Sequence, residues 1–265
     1  KTQFISKEYW GVFEKVYSKT KIKGKEFQKT ALIGGRQKDL YRPVLYLKDN
    51  NKPLVLVGNT KIEGTSYLPQ QGVKPGTISG QSYYGSQLIY GPINYNASLP
   101  IISSELNEHL NRFSANQLTI ESKNIINIES GKSYSNSFYN PTQYVVSSGF
   151  ISLQSVNLTG NIVVVSNSKI QVEASSLLKD VILVAPEVEV QNNVRGNFQA
   201  IAGKSIEVGK DVGLSYPSAL VLINKETTSH TNSLEQMNHI YIDEHSEIKG
   251  VVLYQGKSLS KNYTS

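Results

Sequence analysis

Gly203-Lys204-Ser205 is the one tripeptide in this chain that ends like a phosphate-binding loop. Such a loop needs the spacing G-x-x-x-x-G-K-S and a helix after it, so that backbone N–H groups can hold the phosphates. The preceding glycine, Gly196, lies seven residues before Gly203 instead of five, and the following "SIEVG" continues as a strand pattern. We therefore interpret the tripeptide as a corner between strands, equivalent to the corner at Pro186.

Side chains that could perform acid–base, metal or nucleophilic chemistry are scattered along the chain. The four histidines share no metal-ligand spacing, and cysteine is absent, so disulfides and thiolate sites are excluded. Asp180, Asp211 and Asp243 occur about once per repeat at non-equivalent corners, unlike the clustered carboxylates of polysaccharide-cleaving β-helices. Ser258 and Lys261 match S-x-x-K but lie in a polar tail without partner motifs. We predict no enzyme activity, no catalytic residue, no metal site and no cofactor.

Short β-branched runs recur from Tyr144 onward and form the strongest pattern in the sequence. One series reads "NIVVVS", "DVILVAP", "NFQAIAG" and "SALVLIN", and a second reads "FISLQ", "KIQVE", "EVEVQ", "SIEVG" and "HIYID". A third, weaker series includes "VNLTG" and "NVRGN". The series therefore recur about every 18 residues. The markers of the first series are Ile162, Val181, Phe198 and Ala219, and those of the second are Ile151, Ile170, Val188, Ile206 and Ile240.

Stacked turns of a β-solenoid explain this recurrence. In each V-x-V strand alternate side chains point to opposite sides, so Val and Ile face inward while Gln, Glu or Ser faces water. One turn cannot bury its apolar side alone, whereas stacked turns align these residues in continuous columns. We predict an all-β fold, a single-stranded parallel β-helix of about 18 residues per turn; the alternative is an antiparallel sandwich of short strands. The residues expected to bend the chain at corners are Asn157, Gly160, Asn192, Asn193, Gly196, Gly203 and Gly209.

Segments of different composition flank or interrupt the repeat. Residues 1–43 are predicted to form a basic β-hairpin that turns near Lys23-Gly24, and residues 44–255 to form the β-helix. A Tyr- and Gly-rich insertion at about 70–140 is predicted to interrupt the β-helix, with one short helix in "SSELNEHLNRF" that covers an open face. Residues 256–265 are predicted to form a polar C-terminal tail.

Basic charge is concentrated at one end of the chain. Residues 1–61 hold 14 Lys or Arg against 5 Asp or Glu, and the remainder holds 13 against 16. This distribution argues against a nucleic-acid groove along the molecule. The hairpin lysines either protect a sheet edge from aggregation or attract an anionic membrane surface or an acidic partner. The residues of this region predicted to bind a partner are Trp10, Lys21, Lys23 and Lys25.

Tyrosines cluster in the predicted insertion. Aromatic side chains on loops can stack on sugars or anchor protein interfaces. The alternative is that these rings cap the apolar end of the β-helix. The tyrosines added to the predicted partner-binding surface are Tyr83, Tyr84, Tyr90 and Tyr95.

The sequence contains no segment that approaches the roughly 20 apolar residues of a membrane span. The chain begins at Lys1 without a methionine. We expect that a segment upstream of Lys1 has been removed, a signal or an anchor among the candidates.

Two resemblances rest on quoted segments. "GNTKIEG" and "APEVEVQNNVRGNFQAIAGKSIEVG" resemble the bactofilins, polymer-forming cytoskeletal β-solenoids of bacteria, over about residues 44–68 and 144–255. The Tyr-rich insertion and the basic hairpin depart from that family. "GNTKIEGTSYLP", "GSQLIYGP" and "YPSALVL" resemble a group of Bacteroidetes cell-envelope proteins, taken to include the periplasmic plug subunit of the type IX secretion translocon. This second resemblance implies a rigid, non-enzymatic stopper docked against an outer-membrane pore.

These observations favour a non-enzymatic protein of the bacterial envelope, located in the periplasm and close to a membrane. Its expected partner is a protein, an outer-membrane or envelope complex, and not a nucleic acid. A second hypothesis is a self-assembling, bactofilin-like scaffold, which would be a homo-oligomer. A third is a polysaccharide-binding or polysaccharide-cleaving β-helix.

Overall fold

The computed structural model describes residues 2–34, 43–78, 80–95, 101–114, 118–223 and 238–255. The chain divides into two compact units, residues 1–34 together with 104–265, and residues 35–103. The predicted polar tail, with its S-x-x-K match, lies outside the described residues.

The chain begins with a three-stranded antiparallel sheet, which we call the N-terminal sheet. Its strands follow each other in space in chain order. The turn between the second and third strands lies at Lys23-Gly24, as predicted, and both residues have positive φ, as in two-residue hairpin turns. A further strand precedes the predicted hairpin. The strands are β1 (Thr2–Trp10), β2 (Phe13–Ile22) and β3 (Lys25–Ile33).

The second unit contains short strands in three small sheets. β6 lies between β10 and β4 in a parallel sheet, β5 pairs with β7 in parallel, and β8 pairs with β9 antiparallel. Parallel pairing therefore continues into the segment that the sequence predicts to be an insertion. The strands are β4 (Pro43–Tyr46), β5 (Leu54–Leu56), β6 (Thr65–Leu68), β7 (Val73–Pro75), β8 (Thr77–Ile78), β9 (Gln81–Ser82) and β10 (Ile93–Tyr95).

An eleven-stranded parallel sheet forms the main body of the first unit. β17 runs through corners and pairs in succession with β14, β15 and β16, which are separate strands in the preceding repeat. All pairings in this sheet are parallel, which excludes the antiparallel sandwich for these residues. The strands are β11 (Ser133–Asn136), β12 (Gln143–Ser147), β13 (Ile151–Leu153), β14 (Asn157–Gly160), β15 (Ile162–Ser166), β16 (Lys169–Val172), β17 (Leu177–Val190), β18 (Arg195–Val208), β19 (Gly213–Ile223), β20 (His239–Ile242) and β21 (Glu247–Gln255).

The second predicted series stacks as the spacing indicates. Ile151, Ile170, Val188, Ile206 and Ile240 are consecutive partners in the parallel register. They lie within the interior of the main sheet or pack against it. The prediction that these residues are stacked neighbours is confirmed.

One marker of the first series is wrong by one residue. Ala219 pairs with Gln199, whereas the residue beside Phe198 is Ser218, whose hydroxyl accepts a hydrogen bond from the Phe198 N–H at 3.3 Å. Gly196 pairs with Leu214, and Gln199 pairs with Ala219. The register shifts because the corner of β19 between these pairs contains more residues than the corresponding corner of β18. A one-residue slip moves a side chain to the opposite face of a sheet. Ala219 therefore points outward, not inward.

The corner residues also differ in part from the prediction. Of the seven predicted, Gly160 and Asn193 have positive φ. Gly203 does lie at a corner, opposite Pro186, but outside the left-handed region, and a Cβ added there would meet no heavy atom within 4 Å. Asp and Asn tolerate the left-handed conformation because their short side chains can bond locally. Asp180 and Asp211, which the sequence also places at corners, have positive φ, and the corner residues with positive φ that the prediction missed are Ser155 and His245.

The strands of the first series are buried on both faces. In β15, Ile162 and Val164 point into the interior of the main body, whereas Val163 and Val165 point outward into a second apolar cluster. Strands covered on both faces have nearly continuous apolar sequences, as "IVVVS" and "VILVA" do. The outward side chains need a cover, and two elements provide it: the helix α1 (Ser104–Ser114) and one end of the N-terminal sheet.

The helix lies where the sequence predicts it and packs on this outer face. Leu110 is fully buried and Phe113 is 8% exposed, both within the second apolar cluster. A short 3₁₀ helix (Ser122–Asn124) follows it. The prediction that the helix covers a face of the repeat region is confirmed.

Candidate interaction surface on the N-terminal sheet

Buried aromatic residues fix one end of the N-terminal sheet, which we call its base, to the main body. Trp10 is 6% exposed, and its indole N–H donates a hydrogen bond to the Asp180 carbonyl at 2.9 Å. Its ring meets Phe138 edge to face, with centroids 5.2 Å apart. Phe13 is 3% exposed and meets Tyr216 in the same geometry. Trp10, predicted to bind a partner, is thus enclosed within the protein.

A buried glutamine of the main sheet holds the turn between β1 and β2. The Gln199 side chain donates to the Trp10 carbonyl at 2.9 Å and accepts from the Val12 N–H at 2.8 Å. Gly11 has φ of +59°, and a Cβ there would lie 2.0 Å from Oε1 of the Gln199 side chain. The turn approaches the main sheet so closely that glycine is required. The base is therefore fixed by both packing and backbone hydrogen bonds.

The helix covers the other side of the base. His109 lies 5.5 Å from the Tyr9 ring and 5.1 Å from the Phe113 ring, measured between centroids. Its Nε2 atom is buried and has no hydrogen-bond partner among the described residues. Burial, and then the positive charge of Arg112, lower the pKa of His109 to about 4, against an opposing effect of Glu8. His109 is consequently neutral at physiological pH.

The opposite end of the sheet, its tip, is exposed on both faces. Phe4 and Ile5 are adjacent in β1 and therefore point to opposite faces. Ile22 and Phe27 lie on the same face as Ile5, because Thr20 pairs with Phe27 and Ile22 pairs with Lys25. These four apolar side chains are between 42% and 60% exposed. With the neighbouring lysines they form the tip surface, which comprises Phe4, Ile5, Lys21, Ile22, Lys23, Lys25, Phe27 and Lys29.

The lysines near the base have carboxylate partners. Lys7 pairs with Glu14 at 3.5 Å, and Lys15 with Glu8 at 2.6 Å. Farther out, Lys19 pairs with Glu26 at 2.6 Å, and this hydrogen bond raises the pKa of Lys19. These three pairs use every carboxylate of the N-terminal sheet.

The lysines of the tip surface differ from those near the base. Lys21, Lys23, Lys25 and Lys29 are exposed and have no ion pair among the described residues. Three of the four were predicted from sequence as partner-binding residues, and Lys29 completes the set. The tip surface therefore carries four uncompensated positive charges next to exposed aromatic and aliphatic side chains.

The strands extend this surface beyond Tyr17, whose ring contacts Tyr139 of the main body with centroids 6.0 Å apart. β2 contains 10 residues, which at about 3.4 Å per residue places the tip about 30 Å from the base. Pairing of β2 with strands on both sides stiffens the sheet over this length. The N-terminal sheet is thus a fixed arm with a basic, partly apolar end.

The predicted tyrosines lie in the second unit and differ in exposure. The Tyr83 hydroxyl donates to the Gln87 carbonyl, and the Tyr90 hydroxyl lies 3.0 Å from that of Ser86. Tyr84 and Tyr95 are 68% and 50% exposed. Tyr84 and Tyr95 are therefore the most exposed of the four predicted tyrosines.

Tyr90 forms a small polar cluster with Lys61 and Glu63 in the second unit. The Lys61 ammonium lies 5.4 Å from the centre of the Tyr90 ring and 2.7 Å from a Glu63 carboxylate oxygen. The hydrogen bond to Glu63 raises the pKa of Lys61, and the hydrogen bond to Ser86 lowers the pKa of Tyr90. These contacts restrain the Tyr90 ring within its own unit.

A short row of carboxylates and basic side chains lies on the main sheet. Glu189 and Glu207 are neighbours in register, which the sequence did not predict, and each has its own basic neighbour, Lys169 and His239. A groove of about 300 Å³ has a mixed lining that includes Val212, Leu214 and Arg195. The Arg195 guanidinium donates hydrogen bonds to backbone carbonyls. No group of three potential metal ligands occurs among the described residues.

Comparisons with known proteins assign no family to the chain. No protein-family model, curated protein or solved structure matches it. Within the described part of the chain, no helix has both the length and the apolar character needed to cross a membrane. Evidence for function therefore comes from the surface of the N-terminal sheet.

Proposed function

We propose that this chain is a non-enzymatic β-solenoid protein of the bacterial cell envelope that docks on a membrane protein complex. The observation that carries the proposal is the contrast within the N-terminal sheet. Its base is fixed by Trp10 and Gln199, whereas its tip surface has four lysines that form no ion pair within the described part of the chain. An exposed set of charges on a fixed support is suited to meeting another surface and not to enclosing a substrate.

The parallel register supports the β-solenoid part of the proposal. Residues of one strand series succeed each other as register neighbours from Ile151 to Ile240, at spacings of 19, 18, 18 and 34 residues. Side chains of the three series point into one apolar cluster. Stacked repeats of this kind contact their neighbours along the stack and form stiff bodies. Such a body can transmit the position of one binding surface to another without conformational change.

A periplasmic location and a plugging role follow from the resemblance of three sequence segments to envelope proteins. A stiff body with a basic arm could close the periplasmic side of an outer-membrane secretion pore while the arm holds it in place.

Purification from native membranes tests the docking proposal. The chain would be tagged, isolated under mild detergent conditions and analysed by mass spectrometry, alongside a tip variant in which the four unpaired lysines are replaced (K21Q/K23Q/K25Q/K29Q). A matched control replaces four lysines that have carboxylate partners elsewhere (K123Q/K132Q/K210Q/K249Q). We expect the wild type and the control to recover one stoichiometric membrane complex, and the tip variant to recover roughly tenfold less or below.

Equal recovery with the tip variant would show that the tip surface is not the contact with the protein complex. The absence of any stoichiometric partner from all three samples would contradict docking itself. Denaturant unfolding of the tip variant serves as a folding control, because exposed lysines without partners contribute little to stability.

Self-assembly is a second candidate, favoured by the last repeat. Within the described residues, β20 and β21 each pair along one edge, and Tyr241, Val252 and Tyr254 are about half exposed. Exposed strand edges with apolar side chains pair readily with other chains. Sedimentation of the purified chain over a range of concentrations tests this candidate. End-to-end polymers that disappear in Val252→Lys would support it, and a monomer at all concentrations would refute it.

A further inference from the structure

We infer that the tip surface binds the anionic headgroup layer of a phospholipid membrane. The inference rests on the proposed function, since it names the first surface that the arm meets when the chain docks. It depends on the number and type of charges at the tip, on the placement of apolar side chains there, and on the rigidity of the base.

The charges of the tip suit a diffuse anionic layer. The N-terminal sheet contains seven described lysines and three glutamates, a balance of +4, and no arginine. Arginine is enriched at protein–protein interfaces because its planar group binds carboxylates through two hydrogen bonds, and lysine is depleted there. Lysine acts as a mobile point charge that gains attraction from a charged lipid surface without a specific partner geometry. The all-lysine composition therefore favours lipid over an acidic protein.

The placement of the apolar residues at the tip also favours a membrane surface. Phe4 lies on one face of the sheet, and Ile5, Ile22 and Phe27 lie on the other. A protein partner seated on one face would leave the apolar residues of the opposite face in water. When the tip enters the headgroup layer, both faces of the sheet contact that layer. The distribution of exposed apolar side chains over both faces is thus explained by a membrane interface.

The positions along the strands are compatible with this orientation. Lys21, Lys23 and Lys25 surround the turn, and all apolar residues of the tip surface fall within the last five residue pairs of β2, about 15 Å. Long lysine stems can lie along apolar groups while their ammonium ions reach phosphates. The base is held to the main body by Gln199, and the Tyr17 ring contacts Tyr139, so the interface is confined to the residue pairs beyond Tyr17.

Vesicle flotation with the purified full chain tests the inference without any protein partner. The probes are vesicles of phosphatidylcholine alone and of phosphatidylcholine with about 30% phosphatidylserine. We expect binding to the anionic vesicles, little binding to the neutral ones, and weakening at high salt. The K21Q/K23Q/K25Q/K29Q variant should bind roughly 100- to 1,000-fold more weakly, since each lysine contributes about fivefold. The K123Q/K132Q/K210Q/K249Q control should stay within about twofold of the wild type.

A fluorescence measurement reports insertion separately from charge. The sequence has one tryptophan, Trp10, which is buried. Phe27→Trp places a second indole at a position that is 60% exposed. We expect its emission to shift to shorter wavelength with anionic vesicles and not with neutral ones, whereas the emission of the wild type stays unchanged. Phe4→Trp should respond in the same way, because both faces enter the interface.

Three outcomes overturn the inference: no binding of the wild type to anionic vesicles, equal binding by the tip variant, or unshifted emission from both tryptophan variants. If the wild type ignores vesicles while the tip variant loses the native membrane complex, an acidic protein is the ligand of the tip and docking stands. If the wild type binds vesicles through the tip but recovers no complex, lipid binding stands and docking on a protein falls.

Discussion

The base and the tip of the N-terminal sheet are built from the same three strands but lie in opposite environments. At the base, Trp10 and Phe13 are almost completely buried, and their neighbouring lysines have carboxylate partners. At the tip, Phe4 and Phe27 are more than half exposed. Local sequence composition is similar at both ends, so the difference arises from contact with the main body. Aromatic residues near lysines can therefore be anchors within the protein or candidate contacts outside it.

Removal of the buried Trp10 indole should give the largest difference in unfolding free energy between a change at the base and a change at the tip. Trp10→Ala leaves a cavity beside Phe138 and an unpaired Asp180 carbonyl, so we expect the free energy of unfolding to fall by about 3–5 kcal/mol. The control Phe4→Ala at the tip should change it by less than about 0.5 kcal/mol. Urea denaturation of both variants measures the difference. Equal effects would mean that the base is not anchored as described.

Replacement of the buried Gln199 tests how much hydrogen bonds alone contribute to fixing the base. Gln199→Leu keeps the volume but leaves the Trp10 carbonyl and the Val12 N–H unpaired, for an expected loss of about 2–3 kcal/mol. Hydrogen exchange at Val12 should also become faster. The control is Gln28→Leu, which removes an exposed bond to Tyr17 and should have little effect on unfolding. Comparable losses in the two variants would argue against a tight junction at the base.

Acidification should weaken the base by a smaller amount. The pKa of His109 is about 4 in the folded protein, below its usual value of 6.5, so the unfolded chain binds the proton more readily. The stabilisation is therefore present above about pH 6.5 and is lost as pH falls towards 4. The effect is moderate because solvent reaches part of the ring, which lies near Tyr9, Glu8, Arg112 and Phe113.

Urea midpoints measured between pH 8 and pH 4 test this dependence. His109→Phe should remove part of the decline while its difference from the wild type stays constant above about pH 7.5, where His109 is neutral in both states. An identical pH dependence in the variant and the wild type would show that another group is responsible.

The sequence predicts a contact correctly where that contact depends on a single spacing between repeats. Ile170, Val188 and Ile206 stack because each repeat returns the chain to the same corner after 18 residues. The sequence did not predict the shift at Ala219, since a corner can absorb extra residues without any change in strand composition. The continuous apolar run in "IVVVS" was a usable sign of burial on both faces, but it does not identify the covering elements.

The candidate site was predicted in part. Lys21, Lys23 and Lys25 could be chosen because they flank a recognisable turn. Trp10 was grouped with them because it is close in sequence, yet its contacts are with Asp180 and Gln199, about 170 and 190 residues away along the chain. Phe4 and Phe27 gave no sequence signal that separates them from core aromatics.

The sequence by itself determined the strand periods, the inward columns and the basic turn, because these depend on side-chain alternation and on local turn chemistry. Tertiary structure decided which outward faces are covered and which aromatic residues are accessible. Burial depends on contacts between residues far apart along the chain, and two strands with the same local pattern can be packed at one end and exposed at the other.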